Sequence, residues 1–154
     1  MKRTRVGVIA ATVFLLATVA SAQKPDFSGT WALDPASAAA AGGAGGHNAL
    51  GNGPATVKQT ADALTITRTM GDDTVTLTYK LDGSDSRNMM EGPAGQPADS
   101  MSNVKWDGSK LTIVTKQEVG GRLAEATEVW SAQGSTLTVE TSTARGTQKL
   151  VYKK

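Results

Sequence analysis

Thr74-Val75-Thr76-Leu77-Thr78-Tyr79-Lys80-Leu81 decides the reading of the chain. In an extended backbone successive side chains point to opposite sides, so Val75, Leu77, Tyr79 and Leu81 share one face and the threonines and Lys80 take the other. A period of two with one apolar face is that of a strand buried on one side. Working outward, the same pattern predicts strands near 27–33, 55–60, 63–70, 74–81, 84–90, 101–106, 110–118, 122–131, 135–142 and 147–153. Asp82-Gly83, Asp107-Gly108 and Gly120-Gly121 supply the positive φ angles of tight hairpins, which makes neighbouring strands antiparallel. Leu64-Thr65-Ile66, Leu111-Thr112-Ile113 and Leu137-Thr138-Val139 each follow a turn, as if one hairpin arm recurred. After residue 22 no stretch holds a helical period, which argues against βαβ folds and their nucleotide crevices. The expected fold is all-β: a roughly ten-stranded antiparallel up-and-down meander closing as a barrel, with a two-sheet β-sandwich as the alternative.

The N-terminus has a different character. Lys2, Arg3 and Arg5 precede an uncharged run from Val6 to Ala20, and Ala20-Ser21-Ala22 has the small-x-small form cut by signal peptidase. Residues 1–22 are therefore expected to be a signal peptide, cleaved between Ala22 and Gln23. The run from Val6 to Ala20 is shorter than the ~20 apolar residues of a spanning helix. Gln23 is not the Cys that lipoproteins acylate, and Lys2-Arg3-Thr4-Arg5 is not a twin-arginine pair. A periplasmic or secreted product with no stable membrane insertion follows as the expectation.

Cleavage changes the charge balance. The whole chain carries 16 Lys and Arg against 14 Asp and Glu. Three of the basic residues leave with the signal, so the apparent basicity belongs to the precursor and nucleic acid is not an expected partner. Cysteine is absent, which removes disulfides, thiolate metal sites and cysteine catalysis. Residues 23–154 are enough for one domain with its own core and too few for two ordinary ones.

Asp26-Phe27-Ser28-Gly29-Thr30-Trp31 opens the β domain with Gly29-x-Trp31 on the first strand. This resembles the calycin-type superfamily of lipocalins and fatty-acid-binding proteins, and within it exported bacterial lipocalin-like proteins. The resemblance implies a barrel with Trp31 closing one end. Physically, an inward Trp buries a large apolar area and a Gly two residues earlier leaves room for a neighbour. The match departs from the fatty-acid-binding pattern on the last strand, where an Arg-x-Tyr clamp would put Arg at Leu150 before Tyr152. Where those proteins carry a helical lid, Pro35 to Pro54 holds Ala38 to Ala41 and six glycines, expected to be a flexible loop with at most a short helical turn.

Catalytic and metal motifs are missing. Gly42-Gly43-Ala44-Gly45-Gly46 lacks the strand and helix that flank a phosphate loop. His47, the single histidine, has no Gly-x-Ser-x-Gly elbow to serve. Asp82, Ser84 and Ser86 resemble the start of a calcium loop, but the sixth and twelfth positions are Arg87 and Pro93, so a hairpin turn is expected. Met70, Met89, Met90 and Met101 offer soft sulfur for Cu(I), the last three flanking a loop expected at Glu91 to Ser100, without a repeated Met-x-Met spacing. No catalytic residue, metal or cofactor is assigned.

The inward face of the strands carries the functional reading. Phased on their clearest residues, they turn Phe27, Trp31, Leu33, Val57, Leu64, Ile66, Val75, Leu77, Tyr79, Val104, Trp106, Leu111, Ile113, Leu137, Val139, Leu150 and Tyr152 inward. The same alternation turns Gln59 and Arg68 inward. A buried charge needs an open rim, an ionic partner or a ligand anion, and all three remain open for Arg68. Glu128 is the candidate partner if Trp130 points inward; the opposite phase buries Leu123 and Val129 instead. The expected activity is non-enzymatic binding of a small, largely apolar ligand by Gln59, Arg68, Tyr79 and Trp106. The alternative is a structural or interaction domain of the cell envelope with a solid core.

Overall fold

Each of the ten expected strands forms. The computed structural model describes residues 24–41, 48–91 and 97–154. The expected signal peptide with Ala22 and Gln23, the glycine run 42–46 and His47 lie outside the described residues. The elements in chain order are β1 (Gly29–Leu33), α1 (Pro35–Ala40), β2 (Ala55–Gln59), β3 (Ala63–Met70), β4 (Asp73–Lys80), β5 (Ser86–Glu91), β6 (Pro97–Asp107), β7 (Lys110–Val119), β8 (Arg122–Gln133), β9 (Thr136–Thr143) and β10 (Gly146–Lys153). Most strand ends fall within two residues of their expected positions. β6 departs from this by starting at Pro97, because Pro97 to Ser102 pair with Glu91 to Ser86. Part of the span read as a loop is therefore strand.

The strands form one antiparallel sheet in the order β4-β3-β2-β1-β10-β9-β8-β7-β6-β5. β1 joins the last strand through Ala32 opposite Lys153 and Leu33 opposite Tyr152, so the meander curls back on its beginning. A nearly closed barrel results, not a sandwich. The remaining seam lies between β4 and β5, and side chains bridge it. Asn88 Oδ1 accepts from the Thr78 amide at 2.8 Å, Asn88 Nδ2 donates to the Thr78 carbonyl at 3.0 Å, and Ser86 Oγ accepts from the Lys80 amide at 2.8 Å. Polar side chains thus replace ladder bonds where the backbones part.

Fourteen of the seventeen residues expected on the inner face are buried; Leu33, Val75 and Trp106 are half-buried. The open phase of β8 resolves in favour of Glu128 and Trp130, which are 2 % and 0 % exposed, while Leu123 is 70 % exposed. Asp34 and Pro35 explain α1, a short helix at the start of the span expected as a loop with at most a helical turn. Asp34 Oδ1 accepts from the Ala36 and Ser37 amides at 2.9 and 3.4 Å, and Pro35 tolerates the first turn because its missing N–H is not needed there. The hairpin expected at Asp82-Gly83 does not form, because β4 and β5 are not paired; the turn there is a local one in which Ser84 N and Oγ donate to Asp82 Oδ1 at 2.8 and 2.6 Å.

A polar interior beneath an internal plug

The two ends of the barrel are built differently. At one end the arm before β1 folds into the opening. Phe27 stacks on Trp106 with centroids 6.0 Å apart and meets the edge of Trp130 at 5.7 Å. Trp31 Nε1 donates to the Phe27 carbonyl at 2.8 Å, which ties the Gly29-x-Trp31 strand to the arm. Gln59 holds the same arm, accepting from the Phe27 amide at 3.0 Å and donating to the Pro25 carbonyl at 3.1 Å. Lys24 Nζ lies over the Trp106 ring, 5.2 Å from its centroid. Gly29 leaves room for Lys154, whose ammonium lies 4.8 Å from the Trp31 ring; a β-carbon there would meet its side chain at 2.6 Å.

These contacts separate the four expected ligand residues. Gln59 and Trp106 belong to the closed end, where they hold and cover the N-terminal arm. Arg68 and Tyr79 instead share the rest of the interior with Glu128 and Tyr152, because the charges of Arg68 and Glu128 both act on the two tyrosine hydroxyls. Met89 and Met101 are exposed and Met90 is half-buried, so these methionines do not share one face.

A segment that the sequence places in a loop enters this interior. Asn48, Ala49, Leu50 and Gly51 are buried, with Ala49 and Leu50 fully so. Asn48 Oδ1 accepts from the Leu50 and Gly51 amides at 3.0 and 2.8 Å, closing an Asx turn. Tyr152 grips that turn: its hydroxyl lies 2.9 Å from Asn48 Nδ2 and 2.9 Å from the Gly51 carbonyl. Glu128 Oε1 accepts from the Ala49 amide at 2.9 Å, and Oε2 accepts from Trp130 Nε1 at 2.9 Å. Gly51, at φ +69°, lies against the Arg68 guanidinium; a β-carbon at that position would fall 2.0 Å from an Arg68 nitrogen.

The charges inside are not paired. Among the described residues the ion pairs are Lys116–Glu125 at 3.7 Å and Lys149–Glu140 at 3.3 Å, each between half-exposed side chains. Arg68 is half-buried and makes no salt bridge with Glu128. Burial pushes the Glu128 carboxyl up to about 7, opposed by the hydrogen bonds from Trp130 and Ala49 and by the Arg68 charge. Burial likewise raises the Tyr79 hydroxyl and pushes that of Tyr152 up to about 12. Among the described residues, four buried polar atoms have no partner: Arg68 Nε, Tyr79 Oη, Gln117 Nε2 and Thr141 Oγ1. Two are N–H donors and two are hydroxyls, so each can be satisfied by an acceptor.

Residues missed by the strand reading are those that come from outside strands. Leu50 is the single large apolar residue between Leu33 and Val57, and Asn48 before it and Gly51 after it frame a turn. That was the available signal for the plug.

No protein-family model matches the chain. No curated protein matches it by sequence. Among solved structures the fold is similar to that of secretory abundant heat soluble protein 4 from Ramazzottius varieornatus, with 20 % identity, a TM-score of 0.53, and coverage of 82 % of this chain and 93 % of that one. The likeness concerns the fold, a lipocalin- or fatty-acid-binding-protein-like barrel, and does not bear on a bacterial origin.

Proposed function

We propose that the chain, after cleavage between Ala22 and Gln23, is an exported, non-enzymatic binding protein that holds a small amphipathic ligand inside the barrel, its anionic end at Arg68. The observation that carries this reading is the pair of unpartnered buried groups, Arg68 Nε and Tyr79 Oη, turned into one interior. A buried donor without an acceptor costs about 1–3 kcal/mol, and a ligand oxygen removes that cost. Val75 sits directly across from Arg68 on β4 and gives the apolar part of the ligand a surface. The ligand is small, because Phe27, Trp31 and Leu50 fill volume that a long acyl chain would need. The export signal and the word "secretory" in the structural neighbour's name support a place outside the cytoplasm.

A second reading, a structural domain with a solid core, is favoured by the same filling residues and by the plug at Asn48–Gly51. Native mass spectrometry of protein purified from its source separates the two. The binding reading predicts a mass increment of a small molecule that is lost in Arg68→Met. A bare polypeptide mass under conditions that preserve the fold would leave the structural reading in its place.

A further inference from the structure

We propose that Asn48–Gly51 is an autoinhibitory plug, and that Glu128 makes its release proton-linked. The inference rests on the binding reading of the Arg68 site and adds its regulation. The plug is held by hydrogen bonds from outside itself: the Ala49 amide to Glu128, and Tyr152 to Asn48 and Gly51. It places Gly51 directly on the Arg68 guanidinium, where the ligand's anionic end would sit. Ligand and plug therefore compete for one volume.

Proton linkage follows from what release does to Glu128. With the plug in place burial pushes this carboxyl up to about 7, against the hydrogen bonds from Trp130 and Ala49; release that admits water would remove the burial that dominates and lower it towards the ordinary carboxylate range. The plugged state therefore holds the proton more tightly. Acid favours the plug, and opening releases one proton between pH about 5 and 7, so the open population rises about tenfold per pH unit there and levels off above.

The other groups facing Glu128 do not titrate in this window. Arg68 from β3 presents a guanidinium, while Tyr79 from β4 and Tyr152 from β10 have raised pKa values and stay neutral. Its cross-strand neighbours, Ile113 on β7 and Thr141 on β9, carry no charge. Among the described residues Glu128 alone can drive the change.

The test is amide exchange of Ala49, Leu50 and Gly51 from pH 5 to 8.5, expressed as protection after correction for the intrinsic rate, together with titration by octanoate. Wild type should lose about tenfold in protection per pH unit up to about 7, and octanoate should bind more tightly in parallel. Glu128→Gln keeps an acceptor for Ala49 and should abolish the slope. Tyr152→Phe removes the second grip and should lower protection by a constant factor at every pH while keeping the slope, which provides a reading should Glu128→Gln fail to fold. Protection independent of pH in wild type, or an unchanged slope in Glu128→Gln, overturns the proposal and leaves the binding reading standing. A normal slope with no octanoate binding at any pH supports the plug and counts against the ligand.

Discussion

Replacing Asn88 by Ala tests how the barrel is closed. Asn88 is 7 % exposed and spans the β4–β5 seam with two hydrogen bonds, accepting from the Thr78 amide at 2.8 Å and donating to its carbonyl at 3.0 Å. No ladder joins these strands, so the two bonds and that of Ser86 to Lys80 carry much of the polar closure. Each bond contributes about 1 kcal/mol net, and a backbone group left dry costs about 1–3 kcal/mol. Thr78 itself is exposed, so water recovers part of that cost. Asn88→Ala should therefore destabilise by about 2–3 kcal/mol, and Ser86→Ala, with one bond, by about 1 kcal/mol. Asn88→Asp should be no better than Ala, since a carboxylate oxygen would then face the Thr78 carbonyl. Urea unfolding gives the stabilities, with the midpoint lowered at unchanged slope, and amide exchange at Thr78 localises the effect. Loss under about 0.5 kcal/mol, or a loss with Thr78 exchange unchanged, would refute the idea that side chains close the seam.

Two further predictions concern the interior. Phe27→Ala empties the stack between Trp106 and Trp130 and should cost about 3 kcal/mol, measured by chemical denaturation together with near-ultraviolet circular dichroism of the tryptophans; a cost under about 1 kcal/mol would mean that the arm does not close the barrel. The folded-state pKa of Glu128 lies above its unfolded value, so its contribution to stability is complete below about pH 4.5 and is lost as pH rises through about 7. Thermal unfolding between pH 5 and 8 should show a fall of up to about 3 kcal/mol, smaller if the plug opens first, and Glu128→Gln should flatten it; equal pH dependence of the two proteins would contradict the assignment.

Much of this architecture is legible in the sequence, for identifiable reasons. Period-two alternation assigns faces, which is why Leu64, Ile66, Leu77 and Tyr79 were placed inside and are fully buried. It does not assign height along the barrel. Gln59 and Arg68 both point inward, yet one ties down the N-terminal arm and the other lies against the plug. The phase of β8 was balanced because each face offers large apolar residues. The structure chooses the face on which Trp130 can donate its indole N–H to Glu128 two residues earlier, so that two costly buried groups satisfy each other. The plug was obscured by composition: a turn set among glycines and alanines reads as a surface loop, and tertiary hydrogen bonds to Tyr152 and Glu128 carry it inside.

Nuclear magnetic resonance of the ¹⁵N-labelled protein beginning at Gln23, following the Arg68 Nε–H during titration with octanoate at pH 8, addresses the central claim at the atom concerned. A ligand seated at Arg68 predicts a saturable shift of that resonance together with the Val75 and Tyr79 amides, absent at these amides in Arg68→Met. A resonance that stays unmoved to saturation, or shifts spread without saturation over outward-facing amides, would contradict it.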